Sequence, residues 1–331
     1  MSAKKIYYHT SKYISHRNAG EAYISAMRSA GVTLVSAPED ADVIIVHDDP
    51  VYYPDWVKNH SDKQIIAYCV WETKKLPVPF ARWLADVDRI WTCSPFTRQA
   101  FIDAGFPNVD IVPHIVDLPT PTQAETDRVL SLLGPDRGDF LFYTVCDSVN
   151  PRKNLQALLN IFIATFRDTP SVRLVVKQYR AFWDIEHLPG VISIREDLSQ
   201  GEMAALHHAC DAYVSTHHAE AWGLSLSDAM SLGKPVIATG YSGNMFYMNE
   251  RNSFPSRYDL VPISDEMCGL VPLFTKEMQW ANVDQGHFAY LMRKVSRRSY
   301  APEITANAAR EMLQFSPDAV GHHIAELINA L

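Results

Sequence analysis

Short apolar runs alternate with amphipathic stretches along most of the chain. The runs are rich in Val and Ile and nearly continuous, which is typical of strands buried on both faces of a parallel sheet. The predicted strands are KIYYH, VTLVS, DVIIVHD, QIIAYCVW, RIWTCS and VDIVPHIV in the first half, and FLFYTVCD, VRLVVKQY, GVISIRE, DAYVSTHH and KPVIATG in the second. Helices are predicted between them over residues 20–30, 95–104, 154–166 and 201–209.

The alternation of strand and helix occurs twice, with a break over residues 117–139 that is rich in Pro, Thr and charge. A chain of 331 residues also suits about two domains. We therefore predict an α/β protein with two Rossmann-like, doubly wound parallel-sheet domains, residues 1–122 and 123–315, facing a central cleft. Residues 316–331 are predicted as a capped amphipathic helix, which is a candidate to pack back toward the N-terminal domain.

Charge and composition narrow the classes of partner. The net charge is −8 and neither half of the chain is basic, so no nucleic-acid partner is predicted. No apolar run reaches the ~20 residues of a membrane span, and the N-terminus lacks a signal-peptide core. The five cysteines are far apart and are expected to be buried, reduced thiols. We predict a cytoplasmic protein; peripheral contact with the inner face of the membrane and the oligomeric state stay open.

Residues 217–240, HHAEAWGLSLSDAMSLGKPVIATG, carry two acids eight residues apart, Glu220 and Asp228. The pattern predicts a strand end, a turn, a helix that stops at Gly233, and the next strand. Glu220 then lies at the carboxyl end of the strand and Asp228 about one turn into the helix. Free amides at a helix start attract phosphate, and carboxylates accept hydrogen bonds from sugar hydroxyls, so the arrangement suits a nucleotide-sugar site. From spacing alone, an ordinary loop Glu and a solvated helix Asp explain the pair equally well.

The segment CDSVNPRKNLQALLNIF follows a predicted strand and places Arg152 and Lys153 at the opening of a helix. Two cations are unfavourable at that end of the helix dipole, so the pair needs an explanation. At the carboxyl edge of the first strand of the second domain, they would face the same cleft and neutralise a departing diphosphate. A surface basic pair is the plain alternative.

These residues give the chain a resemblance to the retaining GT-B-fold glycosyltransferases of the family named glycosyl transferases group 1 (family-4-like). The similarity covers most of the chain and is densest over residues 140–283. The acid motif of that family, Glu, seven residues and Glu around an aromatic-Gly-Leu turn, stands here as Glu220, Trp222-Gly223-Leu224 and Asp228. Further segments are similar to that family in the same order: TCSPFTRQAFIDAGF, VDIVPHIVD, AMSLGKPVIATGYSGN, WANVDQGHFAYLMRKV and FSPDAVGHHIAELI.

The resemblance implies a role for each candidate residue. Glu220 would contact the donor sugar, Asp228 the ribose hydroxyls, and Lys153 with Arg152 the diphosphate. The other donor-binding candidates are Trp222, Gly223, Leu224, Ser225, and Gly20 in the turn Asn18-Ala19-Gly20 that is predicted to open the first helix. Candidates for contact with the acceptor or the sugar are Trp71, Glu72 and His217.

The resemblance also implies a reaction: metal-independent transfer of a sugar, with retention, from a nucleoside-diphosphate sugar to a glycan or lipid-linked acceptor in cell-surface polysaccharide synthesis. No cofactor is expected, and mannose from GDP-mannose is the preferred donor. Two other classes stay open. One is a GT-B-fold enzyme of different chemistry, such as a UDP-sugar epimerase or a phosphorylase, and the other is a non-catalytic nucleotide-sugar binding protein.

The chain departs from the pattern of the family at several positions. Asp228 replaces the usual Glu, and Ala219 and Ala221 stand where Gly is frequent. Cys146-Asp147 stands where many members have an Arg, whose charge Arg152 would supply. The three His-His pairs lack the spacing of a zinc site. The DAD and DVD segments look like a D-x-D metal motif, but each lies at the amino end of a predicted strand, where no active site is expected, so no metal ligands are predicted.

Overall fold

Two six-stranded parallel sheets, one in each half of the chain, confirm the predicted α/β architecture. They are seen in a computed structural model that describes residues 4–12, 14–135 and 138–331. The chain divides into two units. Unit 1 comprises Met1–Val116, Leu273–Met278 and Leu313–Leu331, and unit 2 comprises Asp117–Pro272 and Gln279–Met312.

Unit 1 holds the first sheet, with strand order β2-β1-β3-β4-β5-β6. Its strands are β1 Lys5–Thr10, β2 Thr33–Leu34, β3 Val43–His47, β4 Gln64–Tyr68, β5 Arg89–Thr92 and β6 Val109–Ile111. Its helices are α1 Ile14–Ser29, α2 Tyr53–Asn59, α3 Val78–Trp83, α4 Pro95–Asp103 and, at the end of the chain, α12 Pro317–Asn329.

Unit 2 holds the second sheet, with order β12-β11-β10-β7-β8-β9, and an antiparallel pair β13-β14. Its strands are β7 Phe140–Cys146, β8 Val172–Gln178, β9 Val191–Ile194, β10 Ala212–Ser215, β11 Val236–Thr239, β12 Phe254–Ser256, β13 Tyr258–Pro262 and β14 Gln279–Val283. Its helices are α5 Gln123–Leu133, α6 Leu155–Phe166, α7 Gln200–Ala209, α8 Leu224–Ser231, α9 Asp265–Leu270, α10 Gln285–Ser296 and α11 Glu303–Met312.

The last helix, α12, packs against α1 within unit 1. Its residues Val320 and Ile324 are buried in the same core as Ile6 and Tyr23. The two helices approach closely at Gly321, where a Cβ atom would lie only 2.5 Å from the Ala26 carbonyl oxygen. Glycine at position 321 therefore allows α12 to pack closely against α1.

The predicted start of the first helix is wrong. We expected Asn18-Ala19-Gly20 to open it, but α1 begins at Ile14, so Gly20 lies inside the helix. A Gly in a helix interior costs about 1 kcal/mol relative to Ala, and here packing explains it. A Cβ atom on Gly20 would lie 2.2 Å from Cγ2 of Thr10 on β1. Gly20 therefore allows α1 to lie against its own sheet, and its predicted role as the helix-opening donor contact is not supported.

All five cysteines are free thiols, and four of them are buried. Over the parts of the chain that the structure describes, no helix is both long enough and apolar enough to cross a bilayer.

Candidate functional site

Two loops of unit 2 meet at the carboxyl ends of neighbouring parallel strands. One loop leaves β7 and leads to α6, and the other leaves β10 and leads to α8. Arg152 and Lys153 lie in a 3-10 turn, Pro151–Lys153, and not in the first turn of α6 as predicted. The reason is Asn154, whose left-handed conformation (φ 52°) separates the turn from the helix. The two cations are thereby turned out of the helix and toward the second loop.

Hydrogen bonds to the backbone hold the two loops together. The Asn154 side-chain amide donates to the Thr216 carbonyl (3.0 Å), and the Thr216 hydroxyl donates to the Asn154 carbonyl (2.8 Å). The backbone amide of His218 donates to the Arg152 carbonyl (2.8 Å). Because none of these bonds uses a charged side chain, the separation of the two loops does not depend on the charged side chains that they carry.

A buried ion cluster of three residues forms where the loops meet. Arg152 Nη1 lies 3.0 Å from Glu220 Oε2 and also donates to the Ala219 carbonyl (2.7 Å), while Lys153 Nζ lies 2.5 Å from Glu220 Oε1. The side chains are only 12%, 18% and 10% exposed for Arg152, Lys153 and Glu220. Burial alone would raise the pKa of Glu220, but the charges of Lys153 and Arg152 outweigh it and hold this pKa well below its usual range. Glu220 is therefore a carboxylate at every working pH, and the cluster carries a net charge of about +1.

A third loop, after β11, braces the turn that carries Glu220. The Glu220 amide donates to Ser242 Oγ (2.8 Å), and the Gly243 amide donates to the Glu220 carbonyl (2.8 Å). The Tyr247 hydroxyl donates to the Trp222 carbonyl (2.8 Å). The sequence showed this loop only as part of a family-like segment, and its role as a brace was not predicted.

His217 and Trp222, which are predicted to contact the sugar and the donor, are buried and bonded inside the protein. His217 is fully buried, and its two ring nitrogens bond to Ser215 Oγ (3.0 Å) and Asn244 Oδ1 (3.2 Å). Burial lowers the pKa of His217 to about 4, so the ring is neutral near pH 7. The Trp222 ring is buried, and its N–H donates to Ser227 Oγ (3.0 Å). Since these polar atoms are already satisfied inside the protein, neither side chain offers a hydrogen bond to a ligand.

The start of α8 presents free amides. Gly223, in the left-handed conformation (φ 92°), caps the helix, and its carbonyl accepts from the amides of Leu226 and Ser227. The amides of Gly223, Leu224 and Ser225 donate to no acceptor in the described part of the chain. Unsatisfied amides at a helix start carry partial positive charge and favour an anion.

Asp228 lies one turn into α8, as predicted, and is half-buried. Its carboxylate has no hydrogen-bond or ion-pair partner among residues 4–12, 14–135 and 138–331. Loss of hydration raises the pKa of Asp228 from 3.8 to about 7. A carboxylate left without protein partners is available to accept hydrogen bonds from a ligand.

The raised pKa makes stability depend on Asp228. Between pH 4 and 7 the folded protein holds a proton here that the unfolded chain has lost, so the free energy of unfolding falls as the pH rises through this window. Asp228→Asn removes the ionisation. We expect its melting temperature to exceed that of the wild type by at least about 2 °C at pH 8. Below pH 4 the two melting temperatures should be equal. Thermal melts across pH measure this, with exposed Asp168→Asn as the control; equal curves at pH 8 would contradict it.

Arg180 is a site residue that the sequence did not reveal. It adopts a left-handed conformation (φ 70°) two residues after β8, and its Nη1 lies 3.4 Å from Oδ2 of buried Asp147. Burial raises the pKa of Asp147, an effect that Lys153 and Arg152 oppose. Asp147 is part of the pair that replaces the expected Arg. It forms an ion pair with Arg180 beside the ion cluster.

The remaining predicted residues lie in unit 1. Trp71 is buried, its N–H donates to Thr73 Oγ1 (2.7 Å) and its ring stacks on Phe274 at 4.5 Å. These contacts do not support its predicted contact with sugar. Trp71 instead packs residues 273–278 against the rest of unit 1. Glu72 is half-buried. Burial lowers the pKa of His16, and the charge of Glu72 is among those that oppose this effect. Among the described residues, no three of His, Cys, Asp and Glu are placed to hold a metal ion.

Comparisons with known proteins agree with this architecture. Residues 148–253, which contain both site loops, match the family model "Glycosyl transferases group 1". No curated protein matches the sequence. Among solved structures, Anabaena Alr3699/HepE in complex with UDP and glucose has a TM-score of 0.70 at 12% identity, over 99% of this chain and 100% of that chain.

Sucrose-phosphate synthase from Thermosynechococcus elongatus has a TM-score of 0.66 at 13% identity, over 98% of both chains. S. aureus TarM, in a complex that contains UDP, has a TM-score of 0.64 at 13% identity. That match covers 87% of this chain, which spans about half the length of TarM, 55%. Together these structures confirm the predicted GT-B fold.

Proposed function

We propose that this chain, whose residues 148–253 match the family model "Glycosyl transferases group 1" and whose fold is GT-B, transfers a sugar from a nucleoside-diphosphate sugar to a glycan or lipid-linked acceptor. One observation carries the proposal. A buried carboxylate, Glu220, is clamped by two cations, Arg152 and Lys153, at the carboxyl edge of a parallel sheet. The cluster carries an excess positive charge of about +1, which an anionic ligand at this edge of the sheet would neutralise.

The ion cluster is suited to hold the diphosphate. A lysine ammonium has three N–H donors, so its bond to Glu220 leaves donors on Lys153 for a phosphate, and the Arg152 guanidinium adds positive charge beside it. The free amides of Gly223, Leu224 and Ser225 add further donors with partial positive charge. As the sugar leaves, negative charge grows on the phosphate, and donors already fixed in place stabilise that charge without reorganising.

Glu220 and Asp228 are suited to the two sugars of the donor. We assign the ribose hydroxyls to Asp228, because its carboxylate has no protein partner that a ligand must displace. We assign the hydroxyls of the transferred sugar to Glu220, which stays ionised and is fixed by its two cations. Asp228→Asn should then weaken nucleotide binding while it stabilises the folded protein at pH 8, two effects of opposite sign.

The reaction is proposed to retain configuration and to need no metal. Arg152 and Lys153 neutralise the charge of the leaving diphosphate. The leaving phosphate helps to remove the proton of the acceptor hydroxyl, which attacks the sugar from the face that the diphosphate leaves. Complexes of two similar structures contain UDP-glucose, and UDP with GlcNAc. UDP-sugars are therefore tested beside GDP-mannose, the donor preferred from the sequence. We place the activity in cell-surface polysaccharide synthesis, in the cytoplasm or at the inner face of the membrane.

A nucleotide panel tests the donor site. We expect one of UDP, GDP, ADP and CMP, or its sugar conjugate, to raise the melting temperature by several degrees, because saturating ligand stabilises by about 2.7 kcal/mol at 100 times Kd. Lys153→Ala should lose most of this shift, since it removes a phosphate contact. Arg293→Ala, which removes an exposed charge from α10, serves as the control. No shift with any nucleotide would refute the donor site.

A further inference from the structure

Unit 1 contains a second candidate site, at the carboxyl ends of β1 and β3. A cavity of about 290 Å³ opens there between the end of β1, the turn after β3, and α2. It is lined by four rings and three polar side chains: His9, Tyr52, Trp56, His60, Asp48, Asp55 and Asn59. Ligands of parallel α/β sheets bind beyond the carboxyl ends of the strands, so this is a place where a ligand is expected.

Trp56 has the largest ring in the lining of the cavity. Its ring centre lies 4.6 Å from that of His9, 5.4 Å from that of His60 and 6.2 Å from that of Tyr7. Side chains alternate along β1, so Tyr7 and His9 share one face of the sheet while Tyr8 enters the core on the other. The indole is half-buried and held by rings on several sides, which fixes its orientation before any ligand arrives.

The polar groups of the cavity fall into two sets. His9 Nε2 and Asp48 Oδ2 are 3.0 Å apart, and Asp48 Oδ1 accepts from the Asp49 amide (2.8 Å), so this pair is fixed. Asp55 and Asn59 lie four residues apart on α2 and therefore on one face of that helix. Within the described chain their side chains make no hydrogen bond. A ligand at the Trp56 ring would find an acceptor-only group and an amide beside it.

A flat aromatic surface beside planar carboxylate and amide groups is suited to a pyranose. The C–H face of the ring packs on the indole, and its hydroxyls donate to Asp55 or exchange hydrogen bonds with Asn59. The lining contains two carboxylates and neither Lys nor Arg, so a phosphate or a uronic acid is disfavoured. A volume of about 290 Å³ is at the small end for ligand pockets and suits a single ring.

We infer that this cavity binds one neutral or amino-bearing pyranose of the acceptor glycan. The inference rests on the proposed function, because the acceptor of the proposed transfer is a glycan. It places acceptor recognition at Trp56 and Asp55, residues to which the sequence gave no role, and not at Trp71.

Saturation-transfer NMR on the full chain tests the cavity. The probes are the methyl glycosides of glucose, galactose, mannose and N-acetylglucosamine, with glucose 6-phosphate as the anionic probe. We expect at least one glycoside to bind, and Trp56→Ala and Asp55→Ala each to weaken it about tenfold, as expected for the loss of one stacking surface or one charged hydrogen bond. Asp55 is exposed, so its variant keeps the fold even if Trp56→Ala does not. Tyr290→Ala, which removes an exposed ring from α10, should bind like the wild type.

The same variants are tested for the nucleotide-induced thermal shift, which separates the two proposals. Loss of glycoside binding with a retained nucleotide shift supports the cavity as an acceptor subsite. No glycoside binding, equal binding by the wild type and both variants, or tighter binding of glucose 6-phosphate overturns it. Absence of the nucleotide shift in the wild type refutes the donor site instead, and the glycoside result still decides whether the cavity binds a sugar.

Discussion

Glu220→Ala is expected to lower the rate of sugar transfer by at least about a hundredfold, because it removes the proposed contact with the transferred sugar beside the leaving phosphate. The same change raises the charge of the ion cluster from about +1 to about +2. Binding of the nucleoside diphosphate should therefore be retained or become tighter while turnover is lost. Transfer and donor hydrolysis, measured beside calorimetric titration with the nucleotide, give both numbers.

Glu220→Ala should also lower the free energy of unfolding. Arg152 and Lys153 are left without their common partner, and breaking a buried ion pair by removing one side costs about 3–5 kcal/mol, less here because the cluster is not fully enclosed. Added nucleotide should therefore raise the melting temperature of Glu220→Ala by more than it raises that of the wild type. Glu220→Gln, which keeps the shape, is the matched control. Turnover close to that of the wild type in either variant would refute the role given to Glu220.

Gly243→Ala is expected to disrupt the site without touching any charged group. A Cβ atom there would lie 1.7 Å from the Ala221 carbonyl oxygen and 2.8 Å from that of Glu220, so the backbone of one loop must move. The hydrogen bond from the Gly243 amide to the Glu220 carbonyl would be strained or lost. Overpacking of this kind costs about 1–3 kcal/mol or more, and we expect a lower melting temperature and loss of transfer together. Thermal melts and the transfer assay measure both effects.

Gly286→Ala is the control for this backbone clash. Its added Cβ would meet only the Asp284 carboxylate, at an ordinary 3.4 Å, in the first turn of α10. Ala is the better helix former, so this variant should be neutral or slightly more stable. If Gly243→Ala melts like Gly286→Ala and keeps its activity, the loop after β11 does not brace the site.

The sequence predicted the sheets well because their strands are buried on both faces and so read as apolar runs. It missed β12, which has three residues and includes Pro255. A short edge strand with a proline gives no hydrophobic pattern. The start of α1 was missed because its polar residues near Asn18 look like a loop, and only the approach of Thr10 explains Gly20.

The ion cluster was predictable in outline and not in detail. Loops that leave adjacent parallel strands lie at one edge of a sheet, so Arg152, Lys153 and Glu220 could be expected to meet. That the two cations would bond to Glu220 itself follows from the left-handed Asn154, which no pattern revealed. The sequence also does not show whether an aromatic or a His faces a ligand or the core. The sequence predicts ligand contacts at His217 and Trp71, whereas the structure satisfies their ring nitrogens inside the protein.

A crystal structure with the most stabilising nucleotide bound tests the central claim most directly. The claim predicts diphosphate oxygens within about 3.2 Å of Lys153 Nζ and of the amides that begin α8, with the ribose hydroxyls on the Asp228 carboxylate. Asp228 has a shorter side chain than the usual Glu, so one ordered water between its carboxylate and the ribose also agrees with the claim. A diphosphate bound away from Arg152 and Lys153, with the Glu220 cluster unchanged and unoccupied, would contradict it.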